Sequence, residues 1–490
     1  MEPPAHREAV VAIDLGAQSC RVSLLRWKQG IPQIDVIHRF ANAPVSLSGG
    51  LHWDIERIAE EVKAGLRLCA EAAPEGIATI GVDGWAVDYV RVRADGMLSA
   101  NPFCYRDART EEAERKVHER ISPEQLYGLT GIQILRINTL YQLYADKLAG
   151  RDANEYWINL PEYLIHRLGG RRASEYTNAT HTGLVALGSQ HWCQEILDGL
   201  KLDANTAPEI VPTGTFAGEL TGELGKIPAF RKTQLVFPAC HDTASAIAAI
   251  PAAGDDWAFI SSGTWSLVGT VLRSPCVNEE SRRLNFTNLG GVGGQICFLK
   301  NVNGMWLLRQ CMDEWEPQGH IFSMGQLLQA CATLPAPEVL INVDEPELML
   351  PGSMIEKINA QLRRNGGMAI PLDAEGIPKI ANTIFHSLAA RYAEVISSIA
   401  ALSKKKLRRL FIVGGGSRNG HLNRLTAERT GLEVIPGSTE CTTIGNFAIQ
   451  LAALQGEWSP STGVSTAAVA KWAEELTQHA MALPGDRETH

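Results

Sequence analysis

The sequence lacks the features that mark membrane, secreted and disulfide-bonded proteins. No segment approaches the ~20 consecutive apolar residues that a membrane helix requires. Residues 1–9 are not followed by the long apolar core of a secretory signal. The ten cysteines include no Cys-x-x-Cys pair, so neither a zinc site nor a disulfide framework is expected. These absences predict a cytoplasmic protein that contacts no membrane.

Positive charge is also scarce relative to negative charge. Lys and Arg number 45 against 54 Asp and Glu, which gives a net charge of −9 and a pI near 5.9. Nucleic-acid-binding domains usually carry a basic patch. The basic run at 404–409 is short, and we interpret it as a solvent-exposed segment that leads into a strand. Nucleic acid is therefore not an expected partner. The length of 490 residues suggests two or three domains.

The apolar pattern repeats one order of elements in two halves that meet near residue 245. The first half predicts a helix capped by Asp54, a hairpin arm at 87–93 closed by Asp95-Gly96, and strands at 10–15, 21–27, 33–40 and 77–82. The second half predicts strands at 257–262, 266–272 and 410–413, and helices at 380–402, 422–427, 444–454 and, as a tail, 466–483. The halves share little residue identity. The order predicts an α/β protein with an internal structural duplication.

Three turns have the composition of nucleotide-binding turns. The first, Asp14 to Arg21, contains Gly16, for which we expect positive φ or close approach to a ligand, and Ser19, whose hydroxyl can face phosphate. The second is 261–266 (SSGTWS), between two strands. The third is Gly414-Gly415-Gly416, which follows an apolar strand and precedes a helix that Asn419 can cap. Each turn alone is equally compatible with a plain connection, and no Walker loop occurs.

A fourth motif, FPACHDTASA at 237–246, places an acid between a strand and a small-residue helix. The strand is predicted to end at Cys240 and the helix to begin around Thr243. A carboxylate at this point can accept the hydroxyl proton of an alcohol during phosphoryl transfer, whereas the alternative for Asp242 is a simple helix cap. Together with the three phosphate-type turns, the motif favours catalysis.

Other residues are candidates for a substrate pocket. Trp85, in DGWAVD, can stack on a sugar face or fill the core, and Asn301, in KNVNG, can contact a sugar. The segment 105–109 (YRDAR) is either a pocket wall or a solvated face. His181 and the other histidines have no metal-ligand spacing, so core or surface roles are expected for them.

These motifs together resemble the FGGY family of carbohydrate kinases over residues 9 to 455, and within it the rhamnulokinase branch. The segments that carry the resemblance are AIDLGAQSCRV, GVDGWAVDYV, YRDART, GIQILRINTLYQL, EYTNATHTGLV, CHDTASAI, ISSGTWSLVG, LKNVNGMWLL and IVGGGSRNGHLNRL. TLYQL, HDTASA and SSGTWSL are the most specific to the branch. The resemblance implies a duplicated actin-like (ribonuclease-H-like) ATPase fold, with a sugar-side lobe at 1–245, a nucleotide-side lobe at 246–490 and a central cleft.

The resemblance also implies a role for each site residue. Asp242 would be the catalytic base, and Asp14 would lie near Mg²⁺ and hold it through water. ATP would contact Ala17, Gln18, Ser19, Cys20, Arg21, Thr264, Arg309, Gly415 and Gly416. The sugar would contact Trp85, Ala86, His241, Asp242, Thr243 and Asn301.

The implied activity is ATP- and Mg²⁺-dependent phosphorylation of the 1-hydroxyl of L-rhamnulose. Gly84 and Ala86 stand where the branch often has Thr and Gly, Cys20 where it often has Gly, and Arg309 where Gln is frequent. Other ketoses (L-fuculose, L-ribulose, D-xylulose, the autoinducer-2 precursor) therefore stay open. So do two other classes of protein, an actin- or Hsp70-like ATPase that binds a protein partner and a degenerate kinase that senses sugar. The oligomeric state is left open.

Overall fold

The computed structural model describes residues 8–47, 49–151 and 155–480. Its strands, numbered in chain order, are β1 (Ala9–Leu15), β2 (Ser19–Lys28), β3 (Ile31–Ala41), β4 (Val45–Leu47), β5 (Gly50–His52), β6 (Ile77–Gly84), β7 (Tyr89–Val92), β8 (Tyr156–Asn159), β9 (Ala173–Glu175), β10 (Glu209–Val211), β11 (Thr215–Glu219), β12 (Gln234–Phe237), β13 (Trp257–Ser262), β14 (Trp265–Leu272), β15 (Thr287–Gly290), β16 (Ile296–Asn303), β17 (Arg409–Val413), β18 (Glu433–Pro436), β19 (Trp458–Ser459) and β20 (Gly463–Val464).

The α-helices, numbered in the same way, are α1 (Ile55–Ala72), α2 (Thr110–His118), α3 (Pro123–Thr130), α4 (Thr139–Leu148), α5 (Leu160–Arg167), α6 (Tyr176–His181), α7 (Gln194–Leu200), α8 (Asp242–Ala248), α9 (Glu279–Arg283), α10 (Trp306–Trp315), α11 (Met324–Thr333), α12 (Met354–Arg364), α13 (Gly376–Ser403), α14 (Gly420–Thr430), α15 (Cys441–Leu454) and α16 (Thr466–Ala480).

The chain packs into two compact units. Among the described residues, unit 1 contains 8–251, 272–297 and 440–480, and unit 2 contains 252–271 and 298–439. Unit 1 thus includes α15 and α16 near the carboxyl terminus as well as the amino-terminal elements. The predicted lobes, 1–245 and 246–490, and their sugar and nucleotide roles stay predictions.

Unit 1 is built on a six-stranded mixed sheet with the order β11-β12-β6-β1-β2-β3. β1 runs antiparallel to β2 and parallel to β6, and β6 runs parallel to β12. All seven residues of β1 are buried, because β1 is a central strand and helix α15 packs against it. Strands that are covered in this way are typically rich in apolar residues. Asp54 caps α1 by accepting from the amide of Arg57 at 3.1 Å, as predicted. Because β1, β6 and β12 run parallel to one another, their carboxyl ends lie at the same edge of the sheet.

Unit 2 repeats this topology. Its strands follow the order β16-β14-β13-β17-β18, which corresponds to β3-β2-β1-β6-β12 in unit 1. β13 is antiparallel to β14 and parallel to β17, and β17 is parallel to β18, as in the equivalent pairs of unit 1. The predicted strands and the long helix at 380–402, observed as α13, are confirmed. The same order of pairing in both units confirms the duplicated α/β fold.

Local details differ from the predictions in two places. β12 ends at Phe237 and α8 begins at Asp242, so Cys240 lies in the connection rather than in the strand. Gly16 has no positive φ, which corrects that expectation. It is needed for space, because a Cβ there would lie 2.3 Å from the carbonyl oxygen of Ser19. The predicted tail helix is observed as α16, and positions 481–483 lie outside the described residues.

Two structural features are absent from the described residues. No helix there is long and apolar enough to cross a membrane. All ten cysteines lie in the described ranges and no disulfide links them.

Candidate active site

Three carboxylates of unit 1 meet at the carboxyl edge of its sheet. Asp14 near the end of β1 and Asp83 near the end of β6 are directly paired in the parallel ladder. Asp242 is the first residue of α8, five positions beyond the end of β12, which is the next parallel strand. Parallel strands bring the side chains at their carboxyl ends together, which is where open α/β sheets bind ligands. The site is therefore assembled from residues more than 200 positions apart.

Asp14 is buried beside a cation. Its Oδ2 lies 2.9 Å from Nε of Arg21, and the same guanidinium contacts Glu440 at 2.5 Å. Burial raises the pKa of Asp14 to about 6, Arg21 opposes this shift, and the neighbouring carboxylates Asp242 and Glu440 add to it. Glu440, which directly precedes α15, was missed by the sequence analysis because no motif marks it. Together with Asp14, Glu440 neutralises the guanidinium of Arg21 in the first turn.

Asp83 is fully buried and has no cation in contact. Its Oδ2 accepts from Nδ2 of Asn446 at 2.5 Å, and its Oδ1 has no hydrogen-bond partner among the described residues. Burial, followed by the nearby charge of Asp14, raises the pKa of Asp83 well above its ordinary value. Asp83 therefore holds a proton more readily than an ordinary aspartate does.

Asp242 is the accessible carboxylate of the three. Its side chain is 32% exposed, and its Oδ1 accepts from the hydroxyl of Thr243 at 3.1 Å and lies 3.3 Å from Nε2 of His241. Burial within the surrounding protein raises its pKa to about 6, against the hydrogen bond from Thr243. A carboxylate with this pKa is ionised at pH 7 and takes a proton more readily than an ordinary aspartate.

Two histidines lie against each other next to this carboxylate. The ring centroids of His181 and His241 are 3.8 Å apart. Burial lowers the pKa of His241 to about 3 and lowers that of His181 well below its ordinary value. Both rings are therefore neutral, so each carries one N–H donor and one acceptor nitrogen. This pair of groups can bind a sugar hydroxyl, whereas a phosphate would be bound better by a charged ring. The sequence predicted only a core or surface role for His181, and this contact with His241 was not expected.

A buried glutamate holds the segment before α8. Glu175 accepts at Oε2 from the amides of Thr177 at 3.0 Å and Cys240 at 2.9 Å, and at Oε1 from the hydroxyl of Thr213 at 2.5 Å. The Thr177 hydroxyl also donates to Oε2 and accepts from the amide of His241. This network fixes the backbone that leads into Asp242. Sequence reasoning missed Glu175; its only signal was a charged residue within the apolar and threonine-rich segment EYTNATHTGLV.

Trp85 is buried and held by an acid. Its indole N–H donates to Oδ2 of Asp88 at 3.0 Å, and its ring lies 4.5 Å from that of Trp53. Gly84 is packed against β1, since a Cβ there would lie 2.7 Å from that of Leu15. The structure thus places Trp85 in the core near the end of β6, directly beside Ala86.

The segment 105–109 alternates between partly buried and exposed residues, and two of its side chains contact other segments of unit 1. Arg109 donates to Asp146 at 2.6 Å and stacks on Phe103 at 4.1 Å, while Asp107 accepts from the amide of Leu51 at 2.7 Å. Its chief role is to tie loops of unit 1 together.

The first phosphate-type turn belongs to unit 1. Ala17, Gln18 and Ser19 are at least partly exposed, whereas the side chain of Cys20 is buried in the core. Asn42 donates to the carbonyl of Gly16 at 3.1 Å, which supports the turn from the next segment. Cys20 can therefore face a ligand only through its backbone.

The second and third turns belong to unit 2. The carbonyls of Gly263 and Thr264 accept from the amides of Met305 and Trp306 at 3.1 Å each, so the β13–β14 turn is fixed against the start of α10. Asn301 lies on β16. Arg309 is on α10, 62% exposed, and pairs with Asp313 at 2.8 Å.

The triple-glycine turn shows why side chains are excluded there. Gly414 has φ +82°, and a Cβ on Gly416 would lie 2.0 Å from Oγ of Ser262. A Cβ on Gly415 would meet nothing within 4 Å, so this residue presents bare backbone to open space. Asn419 accepts from the amide of Leu422 at 2.9 Å, which confirms the predicted cap of α14.

No group of three or more His, Cys, Asp or Glu side chains within the described ranges has a geometry that could hold a metal ion by itself. Mg²⁺, however, is commonly bound by one or two carboxylates together with substrate phosphates and water. Asp14, one buried carboxylate near a phosphate-type turn, fits such a role.

Comparisons with known proteins agree with this geometry. The family model described as the FGGY family of carbohydrate kinases, N-terminal domain, matches residues 9–249, and that of the C-terminal domain matches 258–454. Curated relatives include a rhamnulokinase of Bacteroides thetaiotaomicron, 37% identical over 90% of this chain and 89% of its own, and a rhamnulokinase of Oceanobacillus iheyensis, 34% identical over 91% and 93%.

Solved structures share the fold at low sequence identity. They include a ligand-bound xylulose kinase from Lactobacillus acidophilus (TM-score 0.77, 16% identity, 97% of each chain) and a Plasmodium falciparum glycerol kinase with ADP (TM-score 0.74, 14% identity, 95% of this chain and 92% of that one). With both domain models matched in order along the chain, the protein belongs to the FGGY family of carbohydrate kinases.

Proposed function

We propose that this carbohydrate kinase transfers the γ-phosphoryl group of ATP to the 1-hydroxyl of L-rhamnulose. The observation that carries the proposal is the accessible carboxylate of Asp242, which has a pKa of about 6 and neutral His241 beside it. The choice of sugar rests on the curated relatives, which are named rhamnulokinases and span about 90% of the chain.

The reaction assigns one proton transfer to Asp242. The carboxylate accepts the proton of the ketose 1-hydroxyl as that oxygen forms its bond to the γ-phosphorus. The bond between the γ-phosphorus and the β,γ-bridging oxygen breaks, and ADP leaves with the electron pair. Because such transition states are loose, correct placement of the hydroxyl and stabilisation of the phosphoryl charge provide most of the acceleration.

The sugar is proposed to lie on unit 1 near Asp242. Ala86 follows the end of β6, and His241 and Thr243 flank Asp242 at the start of α8. The neutral imidazole of His241 can donate to or accept from a ketose hydroxyl without a cost in charge. Asn301 is proposed as a further sugar contact from its position in the family pattern.

The nucleotide is proposed to use the three turns. The backbone amides of Ala17 to Cys20, with Ser19 and Arg21, would face the phosphates, and Thr264 is proposed as a further phosphate contact. Gly415 and Gly416 would lie along the adenosine, where bare backbone permits close approach. Arg309 is proposed on the nucleotide side from its position in the family pattern.

Mg²⁺ is proposed to arrive as part of the nucleotide co-substrate and, when bound, to offset negative charge on the phosphoryl oxygens. Asp14 would hold it through water. We also propose that the protein works in the cytoplasm, where its co-substrate ATP is made.

A coupled ADP-release assay with Mg·ATP tests the proposal against a panel of ketoses. We expect release with L-rhamnulose well above L-fuculose, L-ribulose, D-xylulose and a control without sugar. Preference for another ketose would support the proposed phosphoryl transfer but contradict L-rhamnulose as the substrate. Release that is independent of sugar would favour an ATPase, and no release with any ketose would favour a sugar sensor.

A further inference from the structure

The segment that follows Trp85 and Ala86 has a backbone conformation that its own residue does not favour. Val87 has φ +71°, although left-handed backbone is strongly disfavoured for β-branched residues, and its side chain is buried. Conformations of this kind are energetically costly and persist only where the surroundings hold them. Other contacts must therefore stabilise this turn.

Two side chains of α4 provide these contacts. The hydroxyl of Thr139 donates to the carbonyl of Val87 at 2.7 Å, and Nε2 of Gln142 approaches the same carbonyl at 3.3 Å. Both residues are buried, at 0% and 1% exposure, so water does not compete for these bonds. They belong to the TLYQL segment, to which the mechanism assigns no chemistry.

Gln142 continues the contact to the next residue of the turn. Its Nε2 donates to Oδ1 of Asp88 at 3.0 Å, and Oδ2 of Asp88 in turn accepts from the indole N–H groups of Trp85 at 3.0 Å and Trp53 at 2.6 Å. Asp88 is itself fully buried. The orientation of Trp85 is thus linked to Gln142 through one carboxylate.

Gln142 is also held in place itself. Its Oε1 accepts from a guanidinium nitrogen of Arg109 at 3.1 Å, and that guanidinium is fixed by Asp146 at 2.6 Å. The amide therefore has one orientation available, with its NH₂ group toward the turn.

We propose that Thr139 and Gln142 are positioning residues of the sugar subsite. They hold the left-handed turn at Val87 and the carboxylate of Asp88, and thereby align Trp85 and Ala86 with the bound ketose. Neither touches the reacting atoms. The inference rests on the proposed function, because it places the ketose against Ala86.

Steady-state kinetics of Thr139→Val test it. The variant keeps the volume and removes the hydroxyl, so we expect the KM for the ketose to rise about tenfold while the KM for ATP stays within about twofold. Thr139→Ser, which restores the hydroxyl, should return the ketose KM to near the wild-type value.

A matched control separates positioning from stability. Thr233 is also buried, and its hydroxyl donates to the carbonyl of Ile77 at 2.6 Å, at the opposite end of β6. Thr233→Val should lower the melting temperature as Thr139→Val does, without raising the ketose KM. Should Thr139→Val fail to fold, Gln142→Met, which removes the amide and keeps the length, is expected to show the same KM shift.

An unchanged ketose KM in Thr139→Val would overturn the inference. So would an equal rise in both KM values, or an equal ketose effect from Thr233→Val. Absence of ketose-dependent turnover in the wild-type protein would instead overturn the proposed function, and with it the positioning role.

Discussion

At the scale of single residues, the site depends on which carboxylate is ionised. Asp14, Asp83 and Asp242 share one sheet edge, yet their surroundings differ. Asp83 is buried without a cation in contact and its pKa is raised well above the ordinary value, Asp14 is paired with Arg21, and Asp242 is open to solvent on one side. Only Asp242 combines access with a pKa close to the working pH, which is what a general base requires.

Replacement of Asp242 by Asn should abolish most turnover and leave the fold intact. Oδ1 of Asn can still accept from the hydroxyl of Thr243, so the start of α8 keeps its hydrogen bond. The amide cannot take the proton, and we expect kcat to fall by about 10²–10⁴ with an unchanged melting temperature. Turnover close to wild type in the ADP-release assay would remove Asp242 from the mechanism.

Activity should decline below about pH 6. The pKa values of Asp242 and Asp14 are both raised to about 6, so both carboxylates gain protons as the pH falls through this value. A protonated Asp242 cannot act as a base, and a neutral Asp14 leaves Arg21 less well compensated. We expect kcat/KM for the ketose, at saturating nucleotide, to fall on the acid side with a slope steeper than one. A flat profile down to pH 4.5 would contradict the assignment.

At the scale of elements, loops and helix ends bring the chemistry to the strands. Glu175, at the end of β9, holds the amide of Cys240, and the β13–β14 turn is fixed against α10. These contacts join segments that are far apart in sequence. Regular elements supply the frame, whereas the contacts between their ends determine where Asp242 and the glycine backbone lie.

Glu175→Ala should misplace the start of α8. The substitution leaves the buried amides of Thr177 and Cys240 and two hydroxyls without their acceptor, at a cost of about 1–3 kcal/mol for each unsatisfied group. We expect a lower melting temperature and a lower kcat. Glu175→Gln retains one oxygen and should recover most of both, while Glu209→Ala, a surface residue on the neighbouring strand β10, should change neither. Normal kcat in Glu175→Ala would show that α8 is positioned without it.

Two substitutions in the triple-glycine turn should have different effects, one on stability and the other on nucleotide binding. Gly416→Ala places a Cβ 2.0 Å from Oγ of Ser262, so we expect a stability loss of about 1–3 kcal/mol. Gly415→Ala meets no protein atom within 4 Å and should leave stability unchanged. If adenosine lies along this backbone, Gly415→Ala should raise the KM for ATP several-fold. Thermal unfolding and nucleotide kinetics distinguish the two effects, and an unchanged KM would place the adenosine elsewhere.

At the scale of the whole molecule, the last part of the chain completes the first unit. α15 lies against β1 and β6, where Gln450 donates to the carbonyl of Val11 at 3.0 Å and Asn446 to Asp83. Gly81 of β6 leaves room for these amides, since a Cβ there would lie 2.7 Å from Oδ1 of Asn446. The stability of the amino-terminal sheet therefore depends on residues more than 350 positions away.

Asn446→Ala tests this dependence. It removes the donor to Asp83 and the acceptor of the Gln450 amide, so we expect unfolding to become easier by about 1–3 kcal/mol. Asn205→Ala, at an exposed asparagine of the same unit, should change stability by less than about 0.5 kcal/mol. Equal melting temperatures for the two variants in calorimetry would contradict the role of α15.

Much of the frame was accessible from the sequence. β1, β13, α1 and α13 were predicted because apolar periodicity and caps are local signals, and the repeated order of elements indicated the duplication that the two sheets confirm. The family and the kinase class were also predicted correctly from the motifs. The boundary at residue 245 and the individual ligand contacts stay predictions, because neither depends on a local pattern.

The sequence by itself determined the elements, their order, the turns with small residues and the acid after β12, since each of these depends on neighbours within a few positions. Only the tertiary structure decided how far the pKa of each carboxylate departs from its ordinary value, because burial and neighbouring charges set these shifts. It also decided that Glu175 holds Cys240 and that Thr139 holds Val87, across 65 and 52 positions of the chain. Contacts at such separations exist only once the chain has packed.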